Sequence, residues 1–347
     1  MSRDLIATTL ELCKIPSVTG NEQAICDHVE RWARGLSGLV TERVSHSLIV
    51  RPGAPRAGQK LVGLFGHLDT VLPSSDQPYE VRDGKLYGCG ASDMKAGLAV
   101  MMALLEQRER YGCDIAGIFY EREEGPHAEN GLELLLDRLP AMDLAVMLEP
   151  TANRLQLGCV GSLNARVTFR GKRAHSARPW QGDNAIYHSI AFLEKLRDWG
   201  RRELIIDGLP FSEVINATQA STANSHNVIP DAFVLNVNYR FAPGRDRDSA
   251  CAVVRDLVGS AADIDIRDIA PSGQVCRQHP LIEAWLGRCP LPVEPKQAWT
   301  DVARMTEHGV PAVNFGPGEP AQAHQAGEWV ETAALDEGLR LLEALLA

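Results

Sequence analysis

Apolar positions along the first half of the chain change period repeatedly. Residues 3–13 and 21–36 carry the three-and-four spacing of amphipathic helices, separated by the breaker-rich run Ile15-Pro16-Ser17-Val18-Thr19-Gly20. Residues 60–66 form a short apolar run that predicts a buried strand ending at His67. A helix is predicted over 94–109, directly after Asp93, and further strands over 114–120 and 143–148. This alternation predicts an α/β unit with a mixed, mostly parallel sheet flanked by helices.

From about residue 161 the pattern changes. Strand (164–170), helix (184–199), strand (213–221), strand (232–240), helix (246–258) and strand (262–268) follow in the βαββαβ order of a split ferredoxin-like unit. After Pro271-Ser272-Gly273 the helix and strand alternation resumes, and residues 311–316 predict a strand leading towards His324. The economical division is a discontinuous catalytic domain, residues 1–160 and 274–347, interrupted by an inserted lid domain at 161–273. A chain of 347 residues exceeds a comfortable single core, which agrees with two domains.

The candidate chemistry lies where the predicted strands end. FGHLDT places His67 and Asp69 two residues apart, GASDMKAG carries Asp93, EREEG carries Glu123 and Glu124, LEPT carries Glu149, and the Gly/Pro-rich tail of 315–328 carries His324. In open α/β sheets functional groups gather at the carboxyl ends of strands. Imidazole and carboxylate are ligands that hard-to-borderline divalent metals accept, and two metals need about five such groups plus a base. Taken singly, each group has a plainer reading. Asp93 alone reads as a helix N-cap, Glu121, Glu123 and Glu124 as loop solubilisers, and His67 and His324 as ordinary loop histidines. Together they point to a two-metal hydrolase. Asp69 is placed to orient the His67 ring, since residues two apart on an extended backbone point the same way. Gly88, Gly90 and Gly97 permit the close backbone approach that a bridging Asp93 requires.

Charge and composition narrow the class. Hydrophobic content of 45% and charged content of 23% are ordinary for a globular protein, and the formal net charge of −10 argues against nucleic acid or an anionic membrane as partner. The opening MSRDLIATTLELCK has acids within its apolar pattern and predicts no signal peptide, and no apolar run is long enough for a membrane span. Eight scattered cysteines without a C-x-x-C pair suit reduced thiols in a cytoplasmic enzyme.

Read in order, GHLDT, YGCGASDMKAG, EEG, LEPT, GKRAHSARPWQGDNAI, NVIPD, NYRFAP, WTDVAR and NFGPGEPAQAH resemble the two-zinc amidohydrolase and exopeptidase family of aminoacylase, acetylornithine deacetylase and succinyl-diaminopimelate desuccinylase. The resemblance covers essentially the whole chain. The LEPT, lid, NVIPD and WTDVAR blocks look most like the shorter desuccinylases.

The resemblance implies a zinc exopeptidase-like fold and two divalent ions, zinc first, with cobalt or manganese as alternatives. It implies His67, Asp93 and Glu149 on one ion and Asp93, Glu124 and His324 on the other, with Glu123 as the general base and Asp69 as orienter. It further implies a cis peptide between Asp93 and Met94, and a homodimer formed through the lid, in which His175 reaches across to stabilise the oxyanion. Asn227 and Arg240 match positions at the amino-acid end of a small N-acyl amino acid substrate, and Thr300 and Asp301 match a pair near them. Arg178 is a cation placed to read a succinyl carboxylate, or else a surface arginine. Cys89 stands where many relatives carry arginine and reads as a small buried thiol. His28, His46, His127, His188, His226, His279 and His308 lack motif support and read as structural or exposed.

The expected activity is removal of succinate from N-succinyl-LL-2,6-diaminopimelate in lysine and diaminopimelate synthesis. The alternatives are deacetylation of N-acetylornithine or another N-acyl amino acid, an aminopeptidase or dipeptidase activity, and a non-catalytic relative that binds an acyl amino acid. The last requires loss of a ligand or of Glu123, and none is lost.

Overall fold

The computed structural model describes residues 3–347, which divide into two compact units. The first comprises residues up to Leu157 together with Cys276–Glu294 and His308–Ala347. The second comprises Gly158–Val275 and Pro295–Glu307. The sequence reading assigned all of 274–347 to the catalytic part, whereas residues 295–307 pack with the second unit. Hydrogen bonds from Ser212 N–H to Gln297 Oε1 (3.2 Å) and from Trp299 Nε1 to the Pro271 carbonyl (3.1 Å) tie this segment there.

An eight-stranded sheet organises the first unit, in the order Leu39–Val44, Ser47–Pro52, Asp114–Tyr120, Leu61–His67, Leu144–Met147, Ala312–Asn314, Leu155–Leu157, Val293–Pro295. Its central pairings are parallel: 61–67 with 114–120, 61–67 with 144–147, and 312–314 with 144–147. The flanking pairs run antiparallel, including a hairpin of 39–44 and 47–52 that periodicity did not predict.

Helix Ala96–Glu106 is apolar on every side, and all ten residues from Ala96 to Leu105 are buried. That pattern belongs to a core helix rather than an amphipathic surface one. Leu5–Lys14 and Thr332–Leu346 pack against it, closing the core with Leu12, Leu335, Leu342 and Leu345. Gly97 makes this packing feasible, since a Cβ there would lie 2.5 Å from the Leu148 carbonyl oxygen.

Register explains why the candidate residues converge. His67 pairs with Tyr120, Phe65 with Met147, and Asn314 with Met147. The strands therefore finish at one level, and the segments leaving them start side by side.

The second unit has an antiparallel sheet ordered Arg202–Ile206, Leu209–Ser221, Ala232–Phe241, Gly161–Arg170, Asp263–Ala270. Helices Ile190–Trp199 and Arg247–Val258 cover one face, burying Phe192, Leu196, Val254 and Val258 against Leu163, Val167, Phe169 and Tyr239. The βαββαβ framework is present with an added edge strand, Arg202–Ile206. The signal for it was Asp207-Gly208, whose positive φ values of 48° and 80° form the two-residue hairpin turn that Asp-Gly favours. The predicted helix over 184–199 is divided at Ser189 into Ala185–His188 and Ile190–Trp199.

Candidate metal centre

His67 is the last residue of its strand and is 1% exposed. Its Nδ1 lies 3.0 Å from the Asp69 carbonyl oxygen and 3.5 Å from Asp69 Oδ1. A carbonyl only accepts, so Nδ1 donates a proton to it. Nε2 faces Asp93 Oδ1 at 3.2 Å. The sequence reading gave the orienting role to the Asp69 carboxylate, but the backbone carbonyl makes the closer contact. The carboxylate, facing the same ring nitrogen at 3.5 Å, has further partners. It accepts from the N–H of Glu123 (3.0 Å), the N–H of Glu124 (3.1 Å) and the Thr19 hydroxyl (2.9 Å), so it holds the turn that presents both glutamates.

Asp93 sits in the tight turn Ala91–Lys95 that leads into the core helix, and the Asp93–Met94 peptide is cis. Its two oxygens face different partners: Oδ1 faces His67, and Oδ2 lies 3.8 Å from His324 Nε2. His324 Nε2 also meets Glu124 Oε1 at 2.8 Å. His324 occupies the left-handed region (φ 62°) in its loop, a conformation few non-glycine residues adopt outside special sites. Ligand-type atoms of His67, Asp93 and Glu149 lie within 4.8 Å of one another, as do those of Asp93, Glu124 and His324, and those of His67, Glu123 and Glu124. Asp93 is thus common to two groups, and Glu123 adjoins both. The loop of residues 315–318 closes on this turn because Gly318 has no side chain: a Cβ there would lie 2.1 Å from the Ser92 carbonyl oxygen.

Electrostatics express the crowding of acids. Burial opposes a charge on His67, yet the Asp69 and Asp93 carboxylates outweigh it and hold its pKa well above the ordinary value. Burial likewise opposes charge on His324, and Glu124 reverses the balance upward. Glu124 is pushed up by burial and by Asp93, with His67 and His324 opposing. Burial would raise Asp69 too, but His67 and the two backbone N–H groups bring it below the usual range. Four carboxylates, Asp93, Glu123, Glu124 and Glu149, and two imidazoles packed this closely form a donor set that divalent cations fit.

Glu328 was missed by sequence reasoning. It is 2% exposed and accepts three backbone N–H groups of the Asp93 turn: Gly90 (2.7 Å), Ser92 (2.8 Å) and Asp93 (2.9 Å). Burial pushes its carboxyl up to about 7, while those N–H groups oppose the rise. The available signal was an acidic residue four positions after His324 in a loop rich in small residues. Cys89 is a buried thiol, 5% exposed, with Sγ 3.5 Å from the Val71 carbonyl.

The other predicted residues lie in the second unit. His175, Arg178 and Asn227 share one loop region: His175 pairs with Val228, Ser176 N–H donates to the Asn227 carbonyl (2.9 Å), and Arg178 N–H donates to the His175 carbonyl (2.8 Å). The His175 ring is turned to its own loop, with Nδ1 accepting from Ala177 N–H at 3.1 Å. Arg240 is on strand Ala232–Phe241 in register with Ser162 and Val214, and its Nε donates to Asn238 Oδ1 at 3.1 Å. Thr300 and Asp301 precede helix Val302–Glu307, both buried, and Asp301 accepts from Arg304 Nε at 2.9 Å.

Residues 63–347 match the sequence profile of peptidase family M20/M25/M40. The chain belongs to that family. It is a metal-dependent hydrolase of the M20 type. It is 36% identical to a succinyl-diaminopimelate desuccinylase of Corynebacterium glutamicum, covering 99% of this chain and 96% of the relative. It is 30% identical to one of Methylorubrum extorquens, covering 95% of each. Among solved structures, aminopeptidase PepT of Bacillus cereus superposes with TM-score 0.82 at 18% identity, covering 99% of this chain and 97% of the other. The Bacillus subtilis YXEP protein, a dinuclear metal binding peptidase, superposes with TM-score 0.72 at 15% identity over 99% and 96%. At such identities these structures establish the fold alone. Among the described residues of this M20 chain, no helix is long and apolar enough to cross a membrane.

Proposed function

We propose that this chain is a succinyl-diaminopimelate desuccinylase: it hydrolyses the amide of N-succinyl-LL-2,6-diaminopimelate to succinate and diaminopimelate, a step of lysine and diaminopimelate biosynthesis. The observation that carries the reading is the 36% identity, over nearly all of both chains, to a relative of that name, joined to a cluster of acids and imidazoles close enough to hold metal ions.

In this reading His67, Asp93 and Glu149 hold one divalent ion, and Asp93, Glu124 and His324 hold a second. Zinc suits the mixed imidazole and carboxylate donors, with cobalt or manganese as substitutes. When bound, such ions supply Lewis acidity and lower the pKa of water. Glu123 removes a proton from the attacking water as the new C–O bond forms, then returns it to the leaving nitrogen as the tetrahedral adduct collapses and the amide C–N bond breaks. Asp69 holds the backbone on which Glu123 and Glu124 are presented. His175 donates a hydrogen bond to the carbonyl oxygen as negative charge develops there. Arg178 pairs with the free carboxylate of the succinyl group, while Asn227, Arg240, Thr300 and Asp301 recognise the amino-acid end.

A homodimer through the second unit belongs to the same reading. It is supported by an apolar stripe at helical spacing: Ile186 (39% exposed), Tyr187 (67%), Ile190 (52%) and Leu193 (38%). Such exposed stripes mark association surfaces. A cytoplasmic location fits the eight free cysteines.

The test is a panel of N-succinyl and N-acetyl amino acids, including N-succinyl-diaminopimelate and N-acetylornithine, incubated with metal-loaded enzyme and scored for free amine. Preferential release from the N-succinyl substrate supports the proposal. Preference for acetyl substrates replaces it with a deacetylase, and release from unacylated dipeptides replaces it with a peptidase.

A further inference from the structure

A second group of ligand-type side chains lies outside the M20 constellation: Glu22, His46 and Glu121, whose candidate ligand atoms are all within 4.8 Å of one another. Three distant segments supply them. Glu22 precedes helix Gln23–Arg34, His46 sits in the turn between strands Leu39–Val44 and Ser47–Pro52, and Glu121 follows strand Asp114–Tyr120. Glu22 does not cap its helix. Its Oε1 instead accepts from the N–H of Gly20 (2.7 Å) and of Arg122 (3.2 Å). Its Oε2 is buried without a hydrogen-bond partner, in a residue that is 0% exposed. Glu121 is 4% exposed, and its oxygens meet the His46 N–H (3.0 Å) and His46 Nδ1 (3.2 Å).

Two carboxylates withdrawn from water need compensating charge. Arg122 bonds Glu129 through its guanidinium, and its charge reaches Glu22 and Glu121 only through space. A proton on His46 would answer Glu121 alone and leave the second oxygen of Glu22 unserved. Burial and the neighbouring acids Asp69 and Glu121 push Glu22 up from its ordinary value, which agrees with unmet negative charge. One divalent cation serves both carboxylates and the imidazole together, and this donor set is one that zinc and manganese accept. The partly exposed His46 ring, 34% accessible, supplies the way in.

We propose that Glu22, His46 and Glu121 form a separate divalent-cation site of the zinc or manganese class. Its position gives it a consequence. Glu22 also holds the Arg122 N–H, and Glu121 lies two residues before Glu123, so a cation there ties the N-terminal loop and the 39–52 hairpin to the turn that presents Glu123 and Glu124.

The proposal rests on the M20 reading only in being additional to it, and the test separates the two. The full chain is saturated with Zn(II) or Mn(II), freed of excess, and its metal counted for the wild type and for His46→Ala. The expected result is about one ion per chain fewer in His46→Ala. An Asp93→Asn/Glu124→Gln variant, disabled in the M20 constellation, should retain an ion that is lost on adding His46→Ala, however many ions the constellation itself holds. Independently, the His46 ring resonances should broaden on Mn(II) loading in that variant. Equal stoichiometry with and without the His46 ring, together with unperturbed His46 resonances, would overturn the proposal and leave the cluster closed by a shared proton. Glu121→Gln, which preserves shape, repeats the count if His46→Ala folds poorly.

Discussion

The Asp69 carboxylate accepts the backbone N–H of Glu123 at 3.0 Å, across 54 positions of sequence. The contact fixes the turn that presents Glu123 and Glu124, to which the proposed mechanism gives proton transfer and cation binding respectively. Glu123→Gln should retain bound metal and lose roughly 100- to 10,000-fold in turnover, the usual contribution of a general base. Turnover within threefold of wild type, with metal content unchanged, would move the base elsewhere, Glu121 being the first alternative.

Asp93 offers one oxygen to the His67 side and the other to the His324 side. Metal analysis of the saturated enzyme should show two ions in the M20 constellation, and Asp93→Asn should weaken both. Chelation should abolish activity, and zinc, cobalt or manganese should restore it. Full activity with a single ion bound there would refute the two-ion reading.

Glu328 serves the Asp93 turn through three backbone N–H groups. Glu328→Ala strands those donors, at a cost of about 1–3 kcal/mol for each one left unsatisfied. The expected outcome is a lower Tm and metal affinity reduced roughly 10- to 100-fold, as for other residues that orient ligands. Unchanged affinity for both ions would reduce Glu328 to a purely structural role.

His175 lies in the second unit, and the proposed dimer supplies it from a partner chain. Mixed dimers of His175→Ala and Glu123→Gln chains should recover part of the wild-type activity, because one hybrid site then holds both native groups. Absence of rescue in verified heterodimers, or a fully active monomer, would show that each chain uses its own histidine.

Glu106 joins the N-terminus to the core helix. Arg3 Nε donates to its Oε1 at 3.0 Å, and Trp32 Nε1 donates to the same oxygen at 2.8 Å. Burial raises its carboxyl, and the Arg3 and Trp32 bonds more than reverse this, so its pKa falls below the ordinary 4.5. A depressed folded-state pKa contributes stability above the unfolded value and loses it as pH falls through the folded one. Glu106→Gln should therefore lower Tm near pH 7, with the difference narrowing in acid. A constant difference across that range would show that the charge is not what matters.

Much of the catalytic unit was legible in sequence because its signals are local. The apolar run ending at His67, the helix beginning after Asp93 and the acids after the 114–120 strand each follow from period and punctuation within about ten residues. Strand ends in a parallel sheet share a level, so chemistry placed there by sequence order converges in space. Only the tertiary structure assigned partners. The Asp69 carboxylate holds the Glu123 and Glu124 amides, while the Asp69 carbonyl meets His67. Glu328 reaches back 235 positions to the Asp93 N–H, and Glu22 meets His46 and Glu121 from three separate segments. Such contacts leave no periodic trace, since a backbone N–H is common to every residue but proline. Which carboxylate receives it depends on how strands and loops pack, not on the identity of the residue that donates.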